Sequence, residues 1–241
     1  MRVTFLGTGN AFASGARNAM AILLRGDDFG VLLDCGPTTL VALKKLGLSP
    51  ADVDVILLSH HHGDHFGGVP FLALHECCQG SREKPLHVLG PEGTETKVAQ
   101  SVSLFFPGIE ASFPLEYRDL APNELFTLGT LRATPFEVDH YSRGVAFGYH
   151  VELSGKTVVF SGDTAWTDEL AHQSSDADLF VCECSSFDTP IDKHMSHHDL
   201  EDNRARLTAK RTVLVHPGDD VLAHEHELVF ELAHDGMEVN L

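Results

Sequence analysis

A short, almost wholly apolar run, Val53-Asp54-Val55-Ile56-Leu57-Leu58, passes without a linker into Ser59-His60-His61-His62-Gly63-Asp64-His65-Phe66-Gly67-Gly68. A run of that length, rich in β-branched and aliphatic residues, reads as a strand buried on both faces. Ligand-binding residues collect at the carboxyl ends of such strands. Here the strand delivers four candidate metal ligands within six residues: His60, His62, Asp64 and His65. Neutral imidazole and carboxylate are ligand types suited to zinc, iron or manganese. A turn at this point lets His60 and His62 face one way and Asp64 and His65 another, so one loop can serve two ions. The chain must therefore form a sheet covered on both faces, with a polar cluster at one end.

The surrounding pattern agrees. Residues 2–6, 19–25 and 31–34 read as strands, followed by a helix over 38–46 that Gly47 can terminate. After the His-rich loop come a helix at 69–78, a strand at 86–89 and a helix at 94–106 stopped by Pro107. The second half reads as strands at 115–117, 131–138, 145–153 and 157–161, with Ser154-Gly155 as a hairpin turn, and so as a mainly antiparallel layer. A helix at 165–172, strands at 179–182 and 212–215, and helices at 198–209 and 219–233 complete the pass. Two sheets with helices outside each make a four-layer αββα sandwich of the α/β class. With no linker, repeat or low-complexity tract, residues 1–241 are expected to form one domain.

Composition excludes several roles. The formal charge of −18, from 35 acids against 17 bases, opposes the approach of a phosphate backbone, so a large nucleic-acid partner is not expected. No apolar run of about 18 residues is present to span a membrane. The opening MRVTFLGTGN is an alternating strand without the features of a secretory signal, and a cytoplasmic location is expected. Five cysteines, two of them adjacent at Cys77 and Cys78, argue against a disulfide framework; Cys35, Cys182 and Cys184 read as buried thiols.

The segment His60 to His65 resembles the HxHxDH signature of the metallo-β-lactamase fold superfamily. Val138-Asp139-His140, Ser161-Gly162-Asp163-Thr164 and Val215-His216-Pro217 resemble its later motifs in order and spacing, each after a strand. The resemblance implies that His60, His62 and His140 hold one metal, Asp64, His65 and His216 a second, and that Asp163 lies between them. Zinc is the first choice of ion, with manganese or iron as alternatives. Two divalent ions roughly 3.5–4 Å apart can hold a hydroxide between them as nucleophile, with Asp64 orienting it.

Within that superfamily, Phe5 to Asn10, Leu33-Asp34-Cys35-Gly36, His60 to Gly68 and Phe160 to Thr164 are similar to ribonuclease Z and related phosphodiesterases. The resemblance also implies that His194 protonates the leaving oxygen with Glu183 polarising it. His197 and His198 lie close enough in sequence to compete for that role. The bridging aspartate, where some β-lactam-cleaving members have cysteine, disfavours antibiotic hydrolysis. His62, where oxygen-reducing di-iron relatives have glutamate, disfavours redox chemistry. Transfer-RNA-processing members carry a long arm between the third histidine and the bridging aspartate, whereas a short hairpin joins His140 to Asp163 here. A small or cyclic phosphodiester is therefore the preferred substrate. A lactone, other ester or thioester, and an RNA endonuclease reaction without the arm, are the alternatives; a non-catalytic metal-binding protein would be expected to lack part of the ligand set. A homodimer is a further expectation from the resemblance. Substrate choice is assigned to loops 11–18, 77–84 and 106–113.

Overall fold

The computed structural model describes residues 1–27, 29–80, 82–141 and 144–241. The first sheet contains β1 (Arg2–Gly7), β2 (Ala21–Arg25), β3 (Gly30–Leu33), β4 (Val55–Leu57), β5 (Leu86–Gly90), β6 (Leu115–Asp119) and β14 (Glu238–Asn240), in the order β14-β1-β2-β3-β4-β5-β6. The second contains β7 (Phe126–Leu128), β8 (Leu131–Val138), β9 (Ala146–Leu153), β10 (Lys156–Phe160), β11 (Leu179–Glu183), β12 (Thr212–Val215) and β13 (Glu231–Leu232), in the order β13-β12-β11-β10-β9-β8-β7. Helices α1 (Thr39–Lys45), α2 (Gly63–Phe66), α3 (Val69–Cys78) and α4 (Thr94–Phe105) belong to the first half, and α5 (Asp168–Gln173), α6 (His197–Asp202) and α7 (Asp219–Ala223) to the second.

Strand alternation assigns the layers. Val31, Leu33, Val55 and Leu57 point inward and meet Leu131, Tyr149, Val151, Val158, Phe160 and Val213 of the facing sheet. Their neighbours Leu32, Ile56 and Leu58 point outward, into a second cluster with Leu43, Leu72 and Val98 of the flanking helices. On the far side Val159, Phe180, Cys182 and Leu214 pack with Leu170 and Leu200. Each fully buried side chain of this kind contributes about 1.5–3 kcal/mol. The result is the expected αββα order, with the β3, β4, β11 and β12 carboxyl ends gathered at one edge.

Four expectations need correction. The strand expected at 115–117 in the second layer is β6 of the first sheet, where it pairs in parallel with β5. The second sheet is antiparallel only from β7 to β10; β10 to β13 pair in parallel. The helix expected over 198–209 ends at Asp202, where the Asn203 side chain donates to Asp199 O (2.9 Å), and the chain continues as a single 3-10 turn, Arg204–Arg206. The helix expected over 219–233 stops at Ala223; after a 3-10 turn at Glu225–Glu227, Glu231 and Leu232 pair with β12. Covering an otherwise open parallel edge outweighs local helical periodicity. Cys35, Cys182 and Cys184 are buried free thiols as expected, and burial pushes the Cys35 thiol up to about 12. Ser154 and Gly155, both at positive φ, make the β9–β10 turn.

The sheets are stitched where the His-rich loop leaves β4. The Tyr149 hydroxyl of β9 donates to Leu58 O (2.8 Å), and Phe147 N donates to Ser59 O (2.8 Å). Both contacts cross the core and fix the first residues of the loop. Tyr149→Phe leaves the Leu58 carbonyl without its side-chain donor, and a loss of about 1–3 kcal/mol in unfolding free energy is expected by urea titration.

Candidate metal centre

The site begins with Asp34, just beyond β3. Its backbone sits in the left-handed region (φ 59°), a conformation that costs a non-glycine residue about 1–3 kcal/mol. The buried carboxylate repays this by accepting from Ser59 N (2.7 Å), Ser59 Oγ (2.8 Å) and His65 Nδ1 (2.7 Å). Burial pushes the Asp34 carboxyl up, against the pull of His65. Because Ser59 Oγ donates to Asp34, it accepts from His60 Nδ1 (3.0 Å). One carboxylate thereby fixes the tautomers of two histidines, leaving a lone pair on the Nε2 of each.

The same logic holds across the site. His140 Nδ1 donates to Lys193 O (3.1 Å). Ser185 Oγ donates to Glu183 Oε2 (2.5 Å) and accepts from His216 Nδ1 (2.9 Å). His140 and His216 are thus also left with free Nε2 lone pairs. His62 begins α2 in extended geometry and presents Nδ1, 2.9 Å from His60 Nε2 and 3.1 Å from His140 Nε2. Asp163 follows Gly162, whose φ of 60° and close approach to Phe147 O leave no room for a Cβ, which would lie 2.5 Å from that oxygen. Asp163 Oδ2 lies 4.0, 3.2, 3.9 and 3.4 Å from the Nε2 atoms of His60, His65, His140 and His216. Asp64 Oδ2 lies 3.2 Å from His65 Nε2 and 3.4 Å from His216 Nε2. His216 itself is at φ 62°, its N–H anchored on Thr8 O (2.8 Å).

This donor set fits divalent cations. His65 Nε2 is buried without a hydrogen-bond partner although two carboxylate oxygens stand 3.2 Å away. Lone pairs facing carboxylates repel one another unless a positive charge lies between them. His60, His62 and His140 could hold one ion, and Asp64, His65 and His216 another, with Asp163 in reach of both. The electrostatics divide in the same way. Burial alone lowers His65 and His216, yet Asp163 and Asp64 carry both upward, His65 well above its ordinary value, so these carboxylates draw a positive charge to the two Nε2 atoms, and a bound cation would take the place of the proton there. Burial and the neighbouring His65 drive His60 well below. Asp163 resists its burial and is held well below the carboxylate range by His216 and His65.

The structure brings together all seven residues assigned by resemblance, and sets Glu183 and His194 beside them. His194 Nδ1 lies 3.0 Å from Glu183 Oε1, and its ring stacks parallel to His216 at 5.6 Å. Burial lowers its basicity, but the hydrogen bond and charge of Glu183 raise it to about 9. His197 instead stacks on Phe187, and His198 pairs with Asp188 on the surface, so neither faces the centre. His61 points away from the cluster, toward α4. It donates to Thr94 Oγ1 (2.9 Å), accepts from Lys97 Nζ (2.8 Å), and is held neutral at about 4 by burial and that lysine. A cavity of about 610 Å³ opens over the cluster, lined by His62, Asp64, Asp163, His194 and His216 and by the Asn10–Ser14 loop. Asp34 and Ser185 received no role from the sequence. Asp34 carries a legible signal, an acid ending an apolar strand; Ser185 carries none.

Residues 30–217 match the beta-lactamase superfamily domain. The chain is 26% identical to a ribonuclease Z of Methanococcus maripaludis (strain C5), over 99% of this chain and 94% of that protein. Among solved structures, human tRNase Z, short form, superposes with a TM-score of 0.83 at 26% identity, covering 100% of this chain and 99% of that one. A diphosphatase of the PhnP family superposes with a TM-score of 0.81, covering 100% and 97%; at 18% identity this is a likeness of fold.

The Asp34 network makes a direct prediction. Asp34→Asn weakens the hold on the His65 and His60 tautomers, and divalent-ion affinity measured by chelator competition should fall about 10- to 100-fold. An unchanged affinity would confine Asp34 to supporting the turn.

Proposed function

Because the chain belongs to the beta-lactamase superfamily, we propose that it is a metal-dependent hydrolase, residues 1–241 forming one catalytic domain, that cleaves a small or cyclic phosphodiester with two divalent ions, zinc first and manganese or iron as alternatives. The observation that carries this reading is the position of Asp163 Oδ2, within 4.0 Å of one nitrogen from each of His60, His65, His140 and His216. His60, His62 and His140 would hold the first ion and Asp64, His65 and His216 the second, with Asp163 in reach of both.

Bound divalent ions supply Lewis acidity toward phosphate oxygens and make water nucleophilic near neutral pH. The chain's own groups do the rest. Asp64, its Oδ2 near both His65 and His216, orients the attacking water from the cavity side. Ser185 and Asp34 keep the histidine lone pairs aimed inward. His194, protonated at neutral pH beside buried Glu183, gives its proton to the departing oxygen.

The charge of −18 and the short β9–β10 hairpin between His140 and Asp163 support a small substrate. An RNA phosphodiester is the second reading, favoured by similarity to a ribonuclease Z along nearly the whole chain. No helix among the described residues is long and apolar enough to cross a membrane.

Zinc- or manganese-loaded protein is expected to hydrolyse bis(4-nitrophenyl) phosphate, and Asp64→Ala to abolish it. Turnover of an acyl lactone alone would sink the phosphodiester reading. His194→Ala should cost about 100- to 10,000-fold in kcat on a diester with a poor leaving group, and far less on the nitrophenyl ester. The acid form of His194 is the active one, so the rate on the poor substrate should fall as pH rises through about 9. Glu183→Gln removes the charge that raises His194, and the falling limb should move to lower pH.

A further inference from the structure

Resting on the phosphodiesterase reading, we infer that the cavity selects a diester bearing a flat, uncharged aromatic group, and that Phe12 is the surface on which this group stacks. Phe12 lines the cavity and is 89% exposed. Its backbone is nevertheless firmly held. The buried Asn10 side chain accepts from Phe12 N (3.0 Å) and Ser14 N (3.2 Å) and donates to Ser14 Oγ (3.1 Å) and Pro217 O (3.0 Å). That last bond ties the loop to the residue after His216. At the loop's other end, Arg17 donates to Thr8 Oγ1 (2.9 Å) and Asn18 N donates to Asp235 Oδ2 (2.7 Å).

Between these anchors Ala13, Gly15 and Ala16 all take positive φ. Two of them are non-glycine residues in a conformation that costs free energy. The loop thus spends backbone strain to project one large apolar ring at the mouth of the centre, where it covers no core. A pinned aromatic has only two side-chain torsions to lose, which makes it an efficient stacking platform. Ile191, also substantially exposed, extends the apolar lining. The rim carries Asp219 and Asp220 as well, so a second negative charge on the substrate is repelled there. Of the three loops to which substrate choice was assigned, 11–18 alone contributes described residues to this cavity.

Calorimetric titration of the zinc-loaded protein with three phosphonate monoesters decides the matter, since the carbon–phosphorus bond keeps the probe group in place. Methyl phenylphosphonate should bind about 10-fold more tightly than methyl methylphosphonate, in line with base–aromatic stacking. In Phe12→Ala that ratio should fall close to one, and in Phe12→Trp it should persist. Methyl (4-carboxyphenyl)phosphonate should bind wild-type protein about 10-fold more weakly than the phenyl compound. Equal binding of phenyl and methyl probes, or a preference that survives in Phe12→Ala, overturns the assignment of Phe12; equal binding of the carboxyphenyl and phenyl probes overturns the requirement for an uncharged group. Loss of the phosphodiesterase reading shows separately, as absence of turnover of bis(4-nitrophenyl) phosphate, and leaves these binding ratios to be read on their own.

Discussion

The carboxylate of Asp34 is the contact on which the rest of the centre depends. It joins the end of β3 to the loop after β4 through three hydrogen bonds, and those bonds orient His65 directly and His60 through Ser59. A buried carboxylate is costly unless it is fully satisfied, and a half-satisfied network is worse than an apolar core. The local sequence meets that demand with two donors on one serine and a third on a histidine. Ser185 plays the matching part at β11 and β12, donating a hydrogen bond to Glu183 and accepting one from His216. The same serine lies 3.2 Å from His194 Nδ1, so the residue that orients a candidate ligand also touches the candidate acid.

How much of this was legible follows from how local each part is. The cluster from His60 to His65 could be read directly, because four donor residues in six positions meet whatever the fold does. His140, Asp163 and His216 could be assigned only by resemblance, since their approach depends on three further strands ending at one edge. Asp34 stands in the motif Leu33-Asp34-Cys35-Gly36, yet its role lies in contacts 25 and 31 residues away. The helices that end earlier than their periodicity suggests lie near the carboxyl terminus. There, residues 219–233 show helical periodicity, but β12 and β1 offer edges that Glu231–Leu232 and Glu238–Asn240 satisfy as two short strands. Pairings spanning more than two hundred residues, such as Val3 with Val239, leave no trace in a local window.

Backbone strain marks the same edge. Asp34, Gly162 and His216 all have positive φ, and each lies immediately beyond a strand or within two residues of one. Turning the chain sharply at a strand end swings the next side chain across the sheet edge instead of along it. That is how residues from β3, β10 and β12 reach a common point between two sheets. At Gly162 the approach of Phe147 O requires glycine; at Asp34 and His216 the side chains' hydrogen bonds offset the strain.

Charge then acts on two scales. Across the surface, 35 acids against 17 bases give a field that repels polyanions, and Asp219 and Asp220 continue it to the cavity rim. At the centre the balance reverses once the proposed ions are in place, because two divalent cations outweigh the charges of Asp64 and Asp163. On the proposed reading a monoanionic diester would be drawn to that local charge, whereas each additional phosphate would extend into the repulsive outer field. A long nucleic acid meets the repulsion at every nucleotide and the attraction at one. The uncharged contact inferred at the mouth, Phe12 on its pinned loop, would add affinity that salt does not screen, and this is the kind of recognition open to an acidic protein if its substrate is an anionic diester.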